Sequence, residues 1–177
     1  MRVLIISDTH DNRRCITRLH EVVSDIDMLI HLGDVGRDAD YIRSLFDCEI
    51  HMVAGNNDYG LDLPQYDEFY IGDHKTFITH GHRYGVGYST RNLENLIDEE
   101  DYKFVMYGHT HVRDLTRYGD SYIVNPGSLS LPRDNRVGTY MILDFDQHGT
   151  PFFAQNELPR AETSDERRSF WEKLWGD

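Results

Sequence analysis

Three times within the first 54 residues a short apolar-rich run halts at an acidic residue or a glycine: Met1 to Ser7 at Asp8, Met28 to Leu32 at Gly33, and Glu49 to Ala54 at Gly55. Runs of this length are strands, and continuous apolarity in place of strict alternation means strands covered on both faces. Between them, Asn12 to Val23 places Ile16, Leu19, His20 and Val23 at helical spacing, and Ala39 to Leu45 forms a second, shorter helix. The opening third therefore reads βαβαβ, and crossover connections of this kind make neighbouring strands parallel.

Beyond residue 65 the period shortens towards two. Tyr66 to Ile71 and Lys75 to Thr79 flank Gly72-Asp73 and form a hairpin. Ser89 precedes a helical stretch to Ile97, and Phe104 to Tyr107 is another apolar strand. Asp114 to Arg117 pairs with Ser121 to Asn125, and Thr139 to Asp146 with Thr150 to Gln155, across turns at Tyr118-Gly119-Asp120 and Gln147-His148-Gly149. An α/β fold of two β-layers covered by helices is the most economical assembly of these parts. At 177 residues the chain supports one substantial core, so we expect a single domain: residues 1–156 as its body and 157–177 as a C-terminal helical extension. In that extension Thr163 and Glu166 have capping-box spacing, and Phe170, Trp171, Leu174 and Trp175 share one side of a helix docked on its own domain.

Composition excludes several classes. No stretch approaches the roughly 18 apolar residues of a membrane span, and the N-terminus lacks a signal-peptide pattern. Cys15 and Cys48 form neither a CxxC pair nor a disulfide framework, which fits a reducing cytoplasm. The formal charge of −13 repels the backbone of a long nucleic acid, and no basic patch offsets it. The acids divide into 21 Asp and 10 Glu, the bases into 15 Arg and 3 Lys. Such a surface belongs to a protein of a salt-loving microbe or simply to an acidic mesophilic one.

The chemistry sits where strands end. Asp8 and His10 follow the first strand two residues apart, so both side chains leave an extended backbone on the same side and can share one metal. The same holds for His80 and His82 and for His109 and His111, while Asp34 ends the second strand and Asn56 follows the third. Gly33, Gly55, Gly81 and Gly108 adjoin these positions and let the backbone approach a bound ion. Any one such motif is commonplace. Their ordered recurrence at five strand ends, where ligands of open α/β folds gather, is what points to a metal site.

Asp8-Thr9-His10, Gly33-Asp34, Gly55-Asn56-x-Asp58, His80-Gly81-His82 and Gly108-His109-Thr110-His111 resemble the successive motifs of the calcineurin-like metallophosphoesterase superfamily. Asn125-Pro126-Gly127-Ser128 and the short length are similar to its small YfcE-type phosphodiesterases. The resemblance covers about residues 1–156. It implies a four-layer αββα sandwich of two mixed β-sheets, with a binuclear metal site at the C-terminal ends of the strands. It puts Asp8, His10 and His111 on one divalent ion, Asn56, His80 and His109 on a second, and Asp34 between them. Mixed nitrogen and oxygen donors without thiolate suit manganese, iron, zinc, nickel or cobalt better than calcium, and the resemblance favours manganese among them.

Two divalent ions facing two aspartates leave about two positive charges for a metal-bridging hydroxide and a phosphoryl group. The expected activity is hydrolysis of small phosphodiesters. A phosphomonoesterase or a nuclease is the alternative within that class, and a non-catalytic protein-binding scaffold, as in the retromer subunit of this fold, the alternative outside it. Many relatives carry a histidine where this chain has Asn57, which can donate a hydrogen bond but not a proton. His82 is expected to orient His80 or serve as an acid, and Asp58 to hold a histidine. Asn12 and Arg133 are candidate phosphate contacts, and Asp11 narrows the mouth. A homo-oligomer is compatible with the sequence.

Overall fold

The computed structural model describes residues 1–159. Strand β1 (Arg2–Ile6) is followed by helix α1 (Arg13–Val22), β2 (Met28–His31), α2 (Ala39–Leu45) and β3 (Glu49–Met52). Then come β4 (Tyr66–Ile71), β5 (His74–Thr79), α3 (Arg91–Glu100), β6 (Phe104–Met106), β7 (Arg113–Tyr118), β8 (Ser121–Pro126), β9 (Thr139–Phe145) and β10 (Pro151–Glu157). One five-stranded sheet has the order β10-β9-β1-β2-β3 and the other β4-β5-β6-β8-β7. Both are mixed. β1 to β3 run parallel, as do β5, β6 and β8, and the hairpins add antiparallel strands at the flanks.

The apolar runs lack alternation because each face has its own cover. Val3 and Ile5 of β1 meet Ile78, Phe104, Met106 and Val124 in a core between the sheets. Leu4 and Ile6 point the other way, onto Ile16 and Leu19 of α1 and Ile42 of α2. On the far face of the second sheet, Phe77, Val105 and Ile123 pack against Leu93 and Ile97 of α3. Three apolar layers thus separate four layers of backbone, the αββα sandwich. Burying each such aliphatic side chain contributes about 1.5–3 kcal/mol, and truncating Leu4 to alanine should cost about 2–5 kcal/mol.

The expected elements recur with shifted ends. Helix α3 continues past Ile97 to Glu100, where Asp101 turns left-handed and closes it. The boundary expected at residue 156 falls inside a strand: β10 pairs with β9 through Glu157↔Thr139, and Leu158 is buried against the α1 side. The helix expected around Thr163 to Trp175 lies outside the described residues. No helix among the described residues is long and apolar enough to cross a membrane.

Candidate metal centre

All seven expected metal ligands follow strands whose C-terminal ends lie at one end of the sandwich: Asp8 and His10 after β1, Asp34 after β2, Asn56 after β3, His80 after β5, His109 and His111 after β6. The backbone there is unusual. Asp8, His10, Asp34, His109 and His111 have φ of 55°, 47°, 54°, 67° and 58°. Few residues other than glycine adopt this left-handed region, Asp, Asn and His most readily, and it costs conformational energy. Main-chain bonds hold it in place. The Asp8 N–H donates to the Gly33 carbonyl at 3.0 Å and the His10 N–H to that of Asp34 at 2.9 Å.

The side chains converge. His111 Nε2 lies 3.1 Å from Asp8 Oδ1 and 3.2 Å from His10 Nε2. His10 Nε2 is 3.8 Å from both Asp8 Oδ1 and Asp34 Oδ2. His80 Nε2 stands 3.5 Å from Asp34 Oδ2 and 3.1 Å from Asn56 Oδ1. The His109 ring centroid is 5.2 Å from that of His80. Two groups have donor atoms all within 4.8 Å of one another, Asp8 with His10 and His111, and Asp8 with Asp34 and His80. Asp8 thus stands as centrally as Asp34. Its Oδ2 accepts the Ser7 hydroxyl at 2.6 Å and the His109 N–H at 3.1 Å, whereas its buried Oδ1 has no hydrogen-bond partner among the described residues. A buried carboxylate oxygen without a donor is costly, and imidazole nitrogens with carboxylate oxygens and no thiolate fit a divalent cation of the manganese-to-zinc range.

Charge coupling within the cluster is strong. Burial alone would lower the His80 imidazole, but Asp34 and Asp8 outweigh it and raise it above the ordinary value. The Asp8 carboxylate, 3.1 Å from Nε2, raises His111. Burial would raise the Asp34 carboxyl, yet His80 and both Asn57 amides hold it well below the carboxylate range. His109 and His82 are lowered, first by burial and then by the cationic His80.

The supporting contacts correct two expectations. His82 does not orient His80, because the Leu32 carbonyl already occupies His80 Nδ1 at 2.7 Å. His82 instead opens a 3-10 turn, its ring centroid 5.4 Å from that of His80 and its buried Nδ1 unpaired among the described residues. Asp58 holds no histidine either. Its carboxylate accepts the N–H groups of Val35, Gly36 and Gly55 at 3.2, 2.7 and 2.8 Å, because the loops after β2 and β3 turn too sharply to pair those donors themselves. Asn57 turns its amide to Asp34. Asn12 is exposed at the start of α1 without a side-chain capping bond, and the exposed Arg133 guanidinium contacts the Thr110 carbonyl. Asp11 accepts the Arg37 N–H at 2.5 Å.

Other residues of the site escaped sequence reasoning. Ser128 and Ser130 both donate to the Asp8 carbonyl, at 2.8 and 2.9 Å. Asn125 donates to the Gly108 carbonyl at 2.9 Å and accepts from the Gly127 N–H at 2.9 Å. The Asn-Pro-Gly-Ser signal was present, but its job of bracing two ligand loops was not readable from it. Fully buried His31 links Thr9 and the Gly33 N–H, and burial pushes its imidazole down to about 4.

Comparison with known proteins gives a consistent picture. Residues 1–148 match the family described as the calcineurin-like phosphoesterase superfamily domain. The probable metallophosphoesterase YsnB of Bacillus subtilis is 30% identical over 149 residues, covering 82% of this chain and 85% of that one. A phosphodiesterase of Methanocaldococcus jannaschii is 33% identical over 145 residues, 72% of this chain and 83% of its own. Among solved structures, a predicted phosphoesterase from Streptococcus pneumoniae superposes with a TM-score of 0.72 at 24% identity, covering 88% of this chain and 97% of that one. Zinc-complexed Vps29 of Entamoeba histolytica superposes at 0.70 and 23% identity, covering 90% and 100%. Likeness at that identity carries the fold alone.

Proposed function

The chain belongs to the calcineurin-like phosphoesterase superfamily, and from that premise we propose that it is a metal-dependent phosphodiesterase acting on small phosphodiesters. In this reading Asp8, His10 and His111 hold one divalent ion, Asn56, His80 and His109 a second, and Asp34 is shared. When bound, two such ions supply a water activated near neutral pH and an electrophilic hold on the phosphoryl oxygens. The chain's own part is to aim Nε2 of His80 and His111 inward by fixing each Nδ1 on a backbone carbonyl, Leu32 and Leu131, both at 2.7 Å. The observation that carries the reading is the bare, buried Asp8 Oδ1 ringed by imidazole nitrogens from three strand ends.

The naming of the relatives as phosphodiesterases supports the substrate class. The acidic surface disfavours a nuclease that must grip a long polymer. A scaffold role, the second reading, is favoured only by the Vps29 neighbours, and all seven positions here keep donor-type side chains. The test is chelation to zero metal, followed by reloading with manganese, nickel, zinc or magnesium and a screen of phosphate mono- and diesters. Restored diester turnover at two ions per chain is the expected result. Turnover that survives metal removal, or a fully loaded protein inert on every ester, would count against the proposal.

A further inference from the structure

Asp34 and Asn57 meet twice. The Asn57 backbone N–H donates to Asp34 Oδ1 at 2.8 Å and its side-chain amide donates to Oδ2 at 2.6 Å. The two oxygens have different surroundings. Oδ1 is sunk into the bend at Gly55, where any Cβ would collide with it. Oδ2 is the oxygen turned to the candidate centre, facing His80 Nε2 at 3.5 Å and His10 Nε2 at 3.8 Å. A carboxylate oxygen has two in-plane lone pairs. With the amide on one of them, Oδ2 has a single lone pair left for ions.

We propose that the Asn57 side-chain amide competes with a metal ion for Asp34 Oδ2, making Asn57 a positioning residue that sets the threshold at which the centre fills. The inference rests on the reading of Asp34 as the shared ligand. Its two halves are separable. The backbone N–H orients the carboxylate and survives any substitution but proline, whereas the side-chain donor is removable. Without metal, the amide satisfies a buried carboxylate oxygen that would otherwise be bare. Filling the second site displaces it, so part of the ion's binding energy is spent on breaking a charge-assisted hydrogen bond. Asn57 thereby differs from a spare hydrogen-bond donor for substrate, which would leave ion affinity unchanged.

The test titrates metal-free wild type, Asn57→Ala and Asn57→Leu with Mn²⁺ alone against a chromophoric chelator. Leucine keeps the γ-branched heavy-atom shape of asparagine and lacks the donor, so a packing defect in the alanine variant would be exposed. Both variants should bind the weaker ion roughly 10- to 100-fold more tightly at unchanged stoichiometry, the range expected for loss of one competing hydrogen bond to a charged group. In the wild type, loading with diamagnetic Zn²⁺ should shift the Asn57 side-chain NH₂ resonances as they leave the carboxylate. Two ions bound with equal or weaker affinity in both variants, or NH₂ resonances that do not move, would overturn the competition alone. Uptake of only one ion by the wild type would overturn it together with the shared role of Asp34.

Discussion

His80 Nδ1 lies 2.7 Å from the carbonyl oxygen of Leu32, which sets the ring's proton on Nδ1 and leaves Nε2 for the centre. His82, two residues on, has no part in that arrangement. Asp34→Asn should therefore lower turnover by about 100-fold or more, because it removes a charge facing both histidine groups, while His82→Ala should cost about 10-fold or less. Steady-state rates of the two variants at matched metal content decide the order. A larger loss for His82→Ala would give that ring a direct role with the substrate.

Gly55 and Gly60 form a matched pair. A Cβ on Gly55 would run into Asp34, both its carboxylate and its backbone nitrogen, whereas a Cβ on Gly60 meets nothing within 4 Å. Gly55→Ala should destabilise the fold by about 1–3 kcal/mol and reduce metal uptake. Gly60→Ala, at φ 77°, should cost only the strain of a left-handed alanine, about 1 kcal/mol, with metal content unchanged. Denaturant midpoints and elemental analysis measure both effects.

In the metal-free protein His80 and His111 have pKa values raised above the ordinary 6.5. Protons and metal compete for the same nitrogens, so loading near neutral pH should release protons and apparent affinity should fall as pH drops. Because the shifts are upward, the fall should begin above pH 6.5. Calorimetric titration in two buffers of different ionisation enthalpy reads the release directly. Equal heats in both would contradict the predicted protonation.

His31 makes the opposite contribution. Its folded pKa, about 4, lies below the 6.5 of the unfolded chain, so the unfolded state takes up the proton first. Stability is unaffected by this group above pH 6.5 and declines as pH falls from there towards 4. The whole shift is worth roughly 3 kcal/mol, of which about 2 kcal/mol is lost by pH 5. Urea denaturation of metal-free wild type and His31→Asn at pH 7.5 and 5 should show the slope in the first and a reduced slope in the second. Asparagine keeps an acceptor for the Gly33 N–H without a titrating ring.

Much of this was legible because local rules apply locally. β1 and β2 are continuous apolar runs, and the ligand-type residues just past the strand ends marked the site, although Asp8, His10, His109 and His111 converge through left-handed backbone and not through the extended chain that their spacing suggests. Contacts between distant segments were not legible. Asp58 finds its partners at Val35 and Gly36, 23 and 22 residues away, and Ser128 reaches Asp8 across 120. No periodicity encodes such pairings, and a carboxylate within a run of ligand motifs is naturally read as a partner for a ligand histidine. His82 was misjudged for a related reason. Its spacing from His80 places both on one side only if the strand continues, and the chain instead turns at Gly81 with φ 97°.

The candidate ligands come from both sheets. Asp8, His10, Asp34 and Asn56 extend from the sheet of β1, β2 and β3, and His80, His109 and His111 from that of β5 and β6. Pairs such as His10 with His111 and Asn56 with His80 reach across the seam between them. Ions bound there would act as rivets at one end of the sandwich. The opposite end, around Met1, Ile71, His74 and Phe145, is joined more weakly, by the stacking of His74 on Phe145 and one long hydrogen bond from His74 Nε2 to the Gly149 carbonyl at 3.4 Å. Heating should then part the sheets from that end first, and the unfolding temperature should climb with free metal as RT ln(1 + [L]/Kd) dictates. A thermal melt would rank the candidate metals without any substrate in the tube.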